Sequence, residues 1–219
     1  MSGSGFVRGL EDFRNERLRT LEQIGLQSLA GGQPNGGDIL KLLQIALANE
    51  ISVSELAAAW MPSTPEVDVK IGLAKQSGDE ARHFTLVADR LASLGFNLEE
   101  FAPPALNPLF EFLRSLPTSV ERIAAGQFTL EAIAYGVNEN FMRLCDLRGD
   151  AETVRIYREY IQPDERVHER LGRTLVEKYA TTPELQLKAR DAVARTLEIA
   201  AKVRTTAAAQ VGTACFPGC

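Results

Sequence analysis

The sequence predicts an all-α protein. Ala, Leu, Glu and Arg recur at intervals of three and four residues along most of the chain, which is the spacing of one face of an α-helix. Runs rich in Val, Ile, Thr and aromatic residues with strict alternation, which would indicate β-strands, are missing from the sequence. Clusters of Gly and Pro interrupt the helical pattern at a few points and mark the predicted connections.

The first part of the chain contains a first helix and then a pair of helices. The segment Gly31–Gly37 after the first helix is dense in helix breakers and is predicted to be a loop. Asp38 is the expected N-terminal cap of the second helix, and Gly95 is the expected end of the third. These helices are predicted at about residues 9–29, 38–60 and 66–94.

The second part begins after a crossover at Phe101–Pro108, which includes a Pro-Pro pair. Thr118 or Ser119 is the expected cap of the next helix, with Glu121 in its first turn. Pro163 lies inside the helix that follows, where it predicts either a kink or a wide turn. The helices of this part are predicted at about residues 119–147, 150–179 and 183–208.

Length and composition are those of one globular domain. The chain has 219 residues, of which 45% are hydrophobic and 24% charged, so it can bury a sizeable core. The net charge of -5 disfavours a nucleic-acid-binding protein. The Arg-rich stretches Arg14–Arg19 and Arg155–Arg158 nevertheless keep tRNA among the candidate substrates. No uninterrupted run of about 18 apolar residues and no signal-peptide pattern is present, so a cytoplasmic protein without a membrane span is expected.

The cysteines are few and odd in number, which does not indicate a disulfide framework and fits a reducing compartment. Cys145 lies in a helical run and is predicted to be a small buried apolar residue. Cys215 and Cys219 belong to a C-terminal Cys-Phe-Pro-Gly-Cys segment. A frayed tail is expected there, with a redox pair or an adventitious metal site as the alternatives.

The only two histidines of the chain lie in the same short motif, Asp-Glu-x-x-His. It occurs at Asp79–His83 and again at Asp164–His168. On an α-helix, Glu and His three residues apart lie on one face, so both side chains can bind one metal ion. A single copy is common on solvated helices, but two copies that use every histidine predict a site for two metal ions.

Each motif is preceded by a further glutamate in a predicted helix. Glu50 lies 30 residues before the glutamate of the first motif, and Glu131 lies 34 residues before that of the second. Because a helix advances by about 1.5 Å per residue, both pairs come level in antiparallel helices. Glu55 is the fallback for Glu50, and Glu139 remains the alternative to Glu131, although it lies about two turns from the required level.

With these motifs the chain resembles the ferritin-like di-iron carboxylate superfamily over about residues 38–180. The Asp before each motif glutamate makes it most similar to the oxygen-activating branch, which contains ribonucleotide reductase small subunits, bacterial multicomponent monooxygenases and aldehyde-deformylating oxygenases. The resemblance implies a ferritin-like four-helix bundle with additional N- and C-terminal helices. The segments are then residues 1–37, 38–180 and 181–219 of a single domain.

The resemblance also implies the ligands of two iron ions, with manganese as the alternative metal. These ligands are Glu50, Glu80, His83, Glu131, Glu165 and His168. Asp164 is implied to accept a hydrogen bond from the first histidine and Asp79 from the second, which would fix each imidazole. Helical phase places Gln127 and Tyr135 on the face of Glu131, as residues of a substrate pocket or of the core.

The implied function is that of a di-iron oxygenase or oxidase. It would activate O₂ and oxidise, by hydroxylation, a small organic substrate, with electrons from a separate reductase and no catalytic residue beyond the metal ligands. The alternatives are a ferroxidase or iron-handling ferritin-like protein, and a bundle whose metal only stabilises the fold. A homodimer is the default expectation for the assembly.

Overall fold

The fold was obtained as a computed structural model, which describes residues 3–30, 38–102 and 107–218. Every regular element in these ranges is helical, so the all-α prediction is confirmed. The helices are α1 (Gly3–Ala30), α2 (Ile39–Trp60), α3 (Val67–Ser93), α4 (Pro108–Arg114), α5 (Ser119–Ala125), α6 (Glu131–Leu147), α7 (Ala151–Ile156), α8 (Gln162–Tyr179) and α9 (Pro183–Val211). A short 3₁₀ turn, Leu98–Glu100, follows α3. The predicted loop Gly31–Gly37, the pair Pro103–Pro104 and Cys219 lie outside the described residues.

The caps read from the sequence agree with the structure. The Asp38 side chain accepts a hydrogen bond from the Leu40 amide (3.0 Å) at the start of α2. Gly95 follows α3 with a φ of 89°, a left-handed conformation that glycine adopts without strain. Thr118, rather than Ser119, is the cap of α5. These local signals placed the helix boundaries to within a few residues because each satisfies backbone groups that the helix leaves unpaired.

Helix α4 was not predicted: it begins at the last residue of the predicted crossover and occupies the stretch before the helix predicted from residue 119. The Asn107 side chain accepts hydrogen bonds from the amides of Leu109 (2.9 Å) and Phe110 (3.2 Å). Pro108 occupies the first turn, where its missing N–H costs no helical bond. The Asn-Pro pair therefore begins a new helix here.

Two predicted long helices are each interrupted by a π-helical turn. Gly126–Leu130 joins α5 to α6, and Tyr157–Ile161 joins α7 to α8. Pro163 lies in the first turn of α8, directly after the second π turn, so the wide turn rather than the kink is the outcome. Proline has no backbone N–H and cannot make one of the helical hydrogen bonds, and a π turn accommodates the residue left without that bond. Such turns are frequent at functional sites.

The helices form pairs that bring the two halves of the chain together. Helix α2 packs along α3, α6 packs against α8, α1 packs against α6, and α9 packs against α5. Two apolar clusters lie at different levels along these helices: α2 contributes Leu47 to one and Val53 to the other, and α3 contributes Val87 and Leu73 in the same way. On these two helices, Glu50, Glu80 and His83 lie between the residues contributed to one cluster and those contributed to the other.

Helix α2 is long and apolar enough to cross a membrane by length and composition alone. Within the protein, however, 61% of its apolar window is buried, and the helix packs against α3. This burial is typical of the core helix of a soluble protein.

The C-terminal tail is ordered against the helices, so the expectation of a frayed tail is wrong. Cys215 and Phe216 are buried, and the Cys215 thiol donates a hydrogen bond to the Gly25 carbonyl (3.2 Å). The Arg204 guanidinium donates to the carbonyls of Phe216 (2.9 Å) and Gly218 (2.8 Å). Backbone carbonyls recognised by a buried arginine leave no signal in the amino-acid pattern, which is why the tail could not be predicted.

Candidate metal centre

The six predicted ligands converge in the interior, from helices α2, α3, α6 and α8. They form two overlapping groups, in each of which the ligand atoms all lie within 4.8 Å of one another. All of these side chains are buried. The groups are Glu50, Glu80, His83 and Glu165, and Glu80, Glu131, Glu165 and His168. The two glutamates common to both groups, Glu80 and Glu165, would serve both ions if the cluster held two.

The geometry around Glu80 shows how the two groups join. Its Oε2 atom lies 3.3 Å from Nδ1 of His83, and its Oε1 atom lies 3.4 Å from Nδ1 of His168. Glu50 Oε2 completes the first side at 3.4 Å from His83 Nδ1, and Glu131 Oε2 lies 3.9 Å from His168 Nδ1 on the second. In each histidine, Nδ1 therefore faces carboxylates from two different helices.

The other ring nitrogen of each histidine is held by an aspartate of the opposite motif. His83 Nε2 lies 3.0 Å from Asp164, and His168 Nε2 lies 3.1 Å from Asp79. Arg82 also donates to Asp164. If each Nε2 carries the proton, Nδ1 is left with its lone pair directed at the glutamates, which is the form that binds a metal ion.

Several buried atoms of the cluster have no hydrogen-bond partner among the residues that the structure describes. They include Glu80 Oε1, Glu165 Oε2 and His168 Nδ1. The first and last of these lie 3.4 Å apart but are not in hydrogen-bonding geometry. Leaving such groups unsatisfied costs about 1–3 kcal/mol each, so a cation among them would remove a substantial penalty.

Burial and mutual repulsion disturb the protonation of the carboxylates. Burial raises the pKa of Glu50 to about 8 and raises that of Glu165 well above its usual value, with Glu131 adding to the second effect. Burial opposes ionisation of Glu80 as well, but the adjoining imidazoles of His168 and His83 outweigh it and hold the pKa of Glu80 well below its usual value.

The histidines respond in the opposite direction. Burial alone would lower the pKa of each imidazole, but the adjoining carboxylates raise the pKa of His83 and of His168 to about 11. In the metal-free protein, protons therefore supply the positive charge that the carboxylates require. Metal ions bound in the cluster would displace these protons, because ligating carboxylates and imidazoles must be deprotonated.

The two alternative glutamates lie outside the cluster. Glu55 is exposed and forms an ion pair with Arg114 (3.2 Å). Glu139 accepts a hydrogen bond from the Gln162 side chain (2.9 Å) and lines a different, solvent-open pocket. The structure thus groups Glu50 and Glu131, rather than these residues, with the two motifs.

The two predicted pocket residues have different positions. Gln127 is buried in the first π turn, and neither atom of its amide has a partner among the described residues. Tyr135 is half-buried, accepts a hydrogen bond from Arg166 (2.5 Å) and lies in the same solvent-open pocket as Glu139.

Two buried residues beside the cluster were missed. The Gln76 amide donates to Glu131, and the Tyr157 hydroxyl has no partner in the described part of the chain. Gln76 lies one turn before Glu80 on α3, so helical phase would have identified it. Tyr157 lies in the second π turn, whose extra residue per turn the α-helical phase does not anticipate.

Comparison with known proteins gives a likeness of fold. The chain is similar to a TenA homologue from Pseudomonas syringae pv. tomato, with a TM-score of 0.60 and 14% sequence identity. The likeness covers 91% of this chain and 92% of that chain. No family model and no curated protein matches the sequence. At this identity the likeness concerns the fold alone.

The ferritin-like assignment is therefore wrong, and the four-helix bundle with additional terminal helices is not confirmed, because the fold that matches is a different helical one. The oxygenase or oxidase activity and the ferroxidase alternative rested on that assignment and fail with it. The error has a physical reason: Glu and His at a spacing of three need only one helix, and two level glutamates need only an antiparallel pair. Neither fixes the connection of the remaining helices. The expected O₂, organic substrate, reductase and homodimer stay predictions.

Proposed function

We propose that this chain is a metal-dependent enzyme whose buried cluster holds two divalent ions, iron or manganese. The observation that carries the proposal is the pair of overlapping ligand groups that share Glu80 and Glu165. Four carboxylates with two imidazoles suit Fe(II) or Mn(II), whereas structural zinc prefers thiolates and imidazoles in a closed tetrahedron.

The number of ligands favours a catalytic over a structural role. If the cluster held two ions, six side chains divided between them would leave coordination positions for water or substrate, and open positions distinguish catalytic metal sites from structural ones. A bound pair of ions supplies Lewis acidity and lowers the pKa of coordinated water. The chain itself contributes the buried surroundings and the aspartates that orient both imidazoles. A cytoplasmic location belongs to the same proposal.

The experiment is metal analysis of the purified protein after anaerobic loading with Fe(II) or Mn(II). We expect about two ions per chain in the wild type. The Glu131→Gln variant removes a ligand that belongs to only one group, so it should retain about one ion. Glu139→Gln, on the same helix but outside the cluster, is the matched control and should retain both. Equal loss in the two variants, or no tightly held metal in the wild type, would refute the proposal.

A further inference from the structure

A solvent-open pocket on the outer side of α6 and α8 is separate from the metal cluster. Its volume is about 410 Å³, which is within the range of small-molecule sites. It lies between the segment from Tyr135 to Asp146 and the segment from Arg158 to Arg166. Three arginines line it: Arg143, Arg158 and Arg166. We call it the arginine pocket.

The three guanidinium groups are not neutralised by acidic partners. Among the described residues, none of them forms an ion pair, and the side chains of Arg143 and Arg158 have no hydrogen-bond partner. Nearby Arg155, by contrast, pairs with Glu152 (2.7 Å) and Glu159 (3.0 Å). Arg143 and Arg158 therefore retain all their donors for another acceptor, and Arg166 retains those that do not contact Tyr135.

The acidic residues of the pocket do not remove this excess of positive charge. Glu139 and Asp146 are present, but the Glu139 carboxylate already accepts a hydrogen bond from Gln162 (2.9 Å). Three cationic and two anionic side chains leave a local charge of +1 in a protein whose net charge is -5.

The remaining walls favour a ligand with an apolar or planar part. Met142, Pro163 and the ring of Tyr135 line the pocket. The Arg166 guanidinium lies 4.4 Å from the centre of the Tyr135 ring and donates to its hydroxyl. This contact fixes one guanidinium against the wall, and an arginine so fixed loses little entropy when it binds.

We propose that the arginine pocket binds a small organic anion through a phosphate or carboxylate group. Guanidinium groups match both groups in two-point hydrogen bonds, and they come here from two facing helices so that they converge on one ligand. The site takes no ligand from the metal cluster and does not depend on the proposed metal function.

The test is calorimetric titration of the purified protein with inorganic phosphate and with citrate at constant ionic strength. We expect saturable binding of at least one of them. Arg143→Gln and Arg158→Gln should each weaken it by about tenfold or more, as the loss of a charge-assisted hydrogen bond implies. Arg155→Gln removes the same charge three residues from Arg158, outside the pocket, and should leave the affinity unchanged.

Circular dichroism of the variants establishes that each is folded, which is expected because the three substituted residues are exposed. The proposal is overturned if neither anion binds saturably. It is also overturned if Arg155→Gln weakens binding as much as the pocket variants, since the effect would then be general surface charge. Binding that none of the substitutions changes would place the anion elsewhere, including at the metal cluster, and would overturn it as well.

Discussion

His83 and His168 use their two ring nitrogens for different purposes. In both, Nδ1 faces the glutamates of the cluster and Nε2 lies at hydrogen-bonding distance from an aspartate of the other motif. Each motif therefore supports the histidine of its partner as well as supplying its own. The aspartate before each motif glutamate therefore has a specific role, which is to orient the imidazole of the other motif.

Asp164→Asn is expected to weaken metal binding by about tenfold to a hundredfold, because His83 loses the acceptor that fixes its tautomer. Arg82→Gln removes an ion pair with the same carboxylate oxygen of Asp164 and serves as the control. Competition with a chelator of known affinity measures both variants. An equal loss in both would assign the effect to the surface ion pair rather than to the orientation of the imidazole.

At the scale of the element, the first π turn is positioned by an unusually close approach of α8. A Cβ atom built on Gly172 would lie 2.4 Å from the Phe128 amide nitrogen and 2.5 Å from the Gln127 carbonyl carbon. Backbone atoms cannot yield as a flexible side chain can, so only glycine permits this contact. The contact holds the segment that precedes Glu131 against the helix that carries Glu165.

Gly172→Ala should therefore destabilise the protein by about 1–3 kcal/mol or more, as overpacking of a rigid contact does. Gly78→Ala is the control, since it lies within α3 with no atom near the added methyl group, and it should stabilise by up to about 1 kcal/mol. Urea denaturation measures both changes. Similar effects of the two substitutions would contradict a specific role of the contact.

The helices and turns also differ in how well they could be predicted from the sequence. Helix boundaries with a cap, such as Asp38 and Thr118, were predictable because the cap acts within a few residues. The grouping of Glu50 and Glu131 with the two motifs followed from the rise of a helix. The π turns and the buried tail were not predicted in position, since they depend on contacts between residues that are distant in the chain, such as Gly172 with Phe128.

At the scale of the whole molecule, the cluster links the stability of the fold to the binding of protons and of metal ions. The pKa of Glu50 is raised to about 8, and those of His83 and His168 to about 11. A group whose pKa is raised in the folded state stabilises the folded protein at low pH. This stabilisation is lost as the pH rises through the pKa of the folded state. For Glu50 the loss extends from 4.5 to about 8, and for the histidines from 6.5 to about 11.

The metal-free protein should accordingly lose stability as pH increases from about 5.5 to about 8, whereas metal binding should tighten over the same range because the ions compete with protons. The rise in unfolding temperature caused by Mn(II) should therefore be larger at the upper pH. Thermal unfolding with and without Mn(II), at both values, checks this. An increment that is independent of pH would contradict binding at these protonated ligands.

The connection of the helices is a property of the whole chain, and it is where sequence reasoning failed. Local spacing brought six ligands to one place, but many arrangements of antiparallel helices satisfy the same spacing. The likeness to a TenA homologue extends over 91% of the chain and identifies the fold from the arrangement of all its helices, which no short motif specifies.

The most direct test is anomalous X-ray diffraction from crystals grown with Fe(II) or Mn(II), recorded at the absorption edge of the metal supplied. We expect two peaks about 3.5–4 Å apart, as in other two-metal sites, between Glu80 and Glu165 and each beside one histidine. A map without peaks at this place, or with the metal bound only at the surface, would contradict a buried two-metal centre.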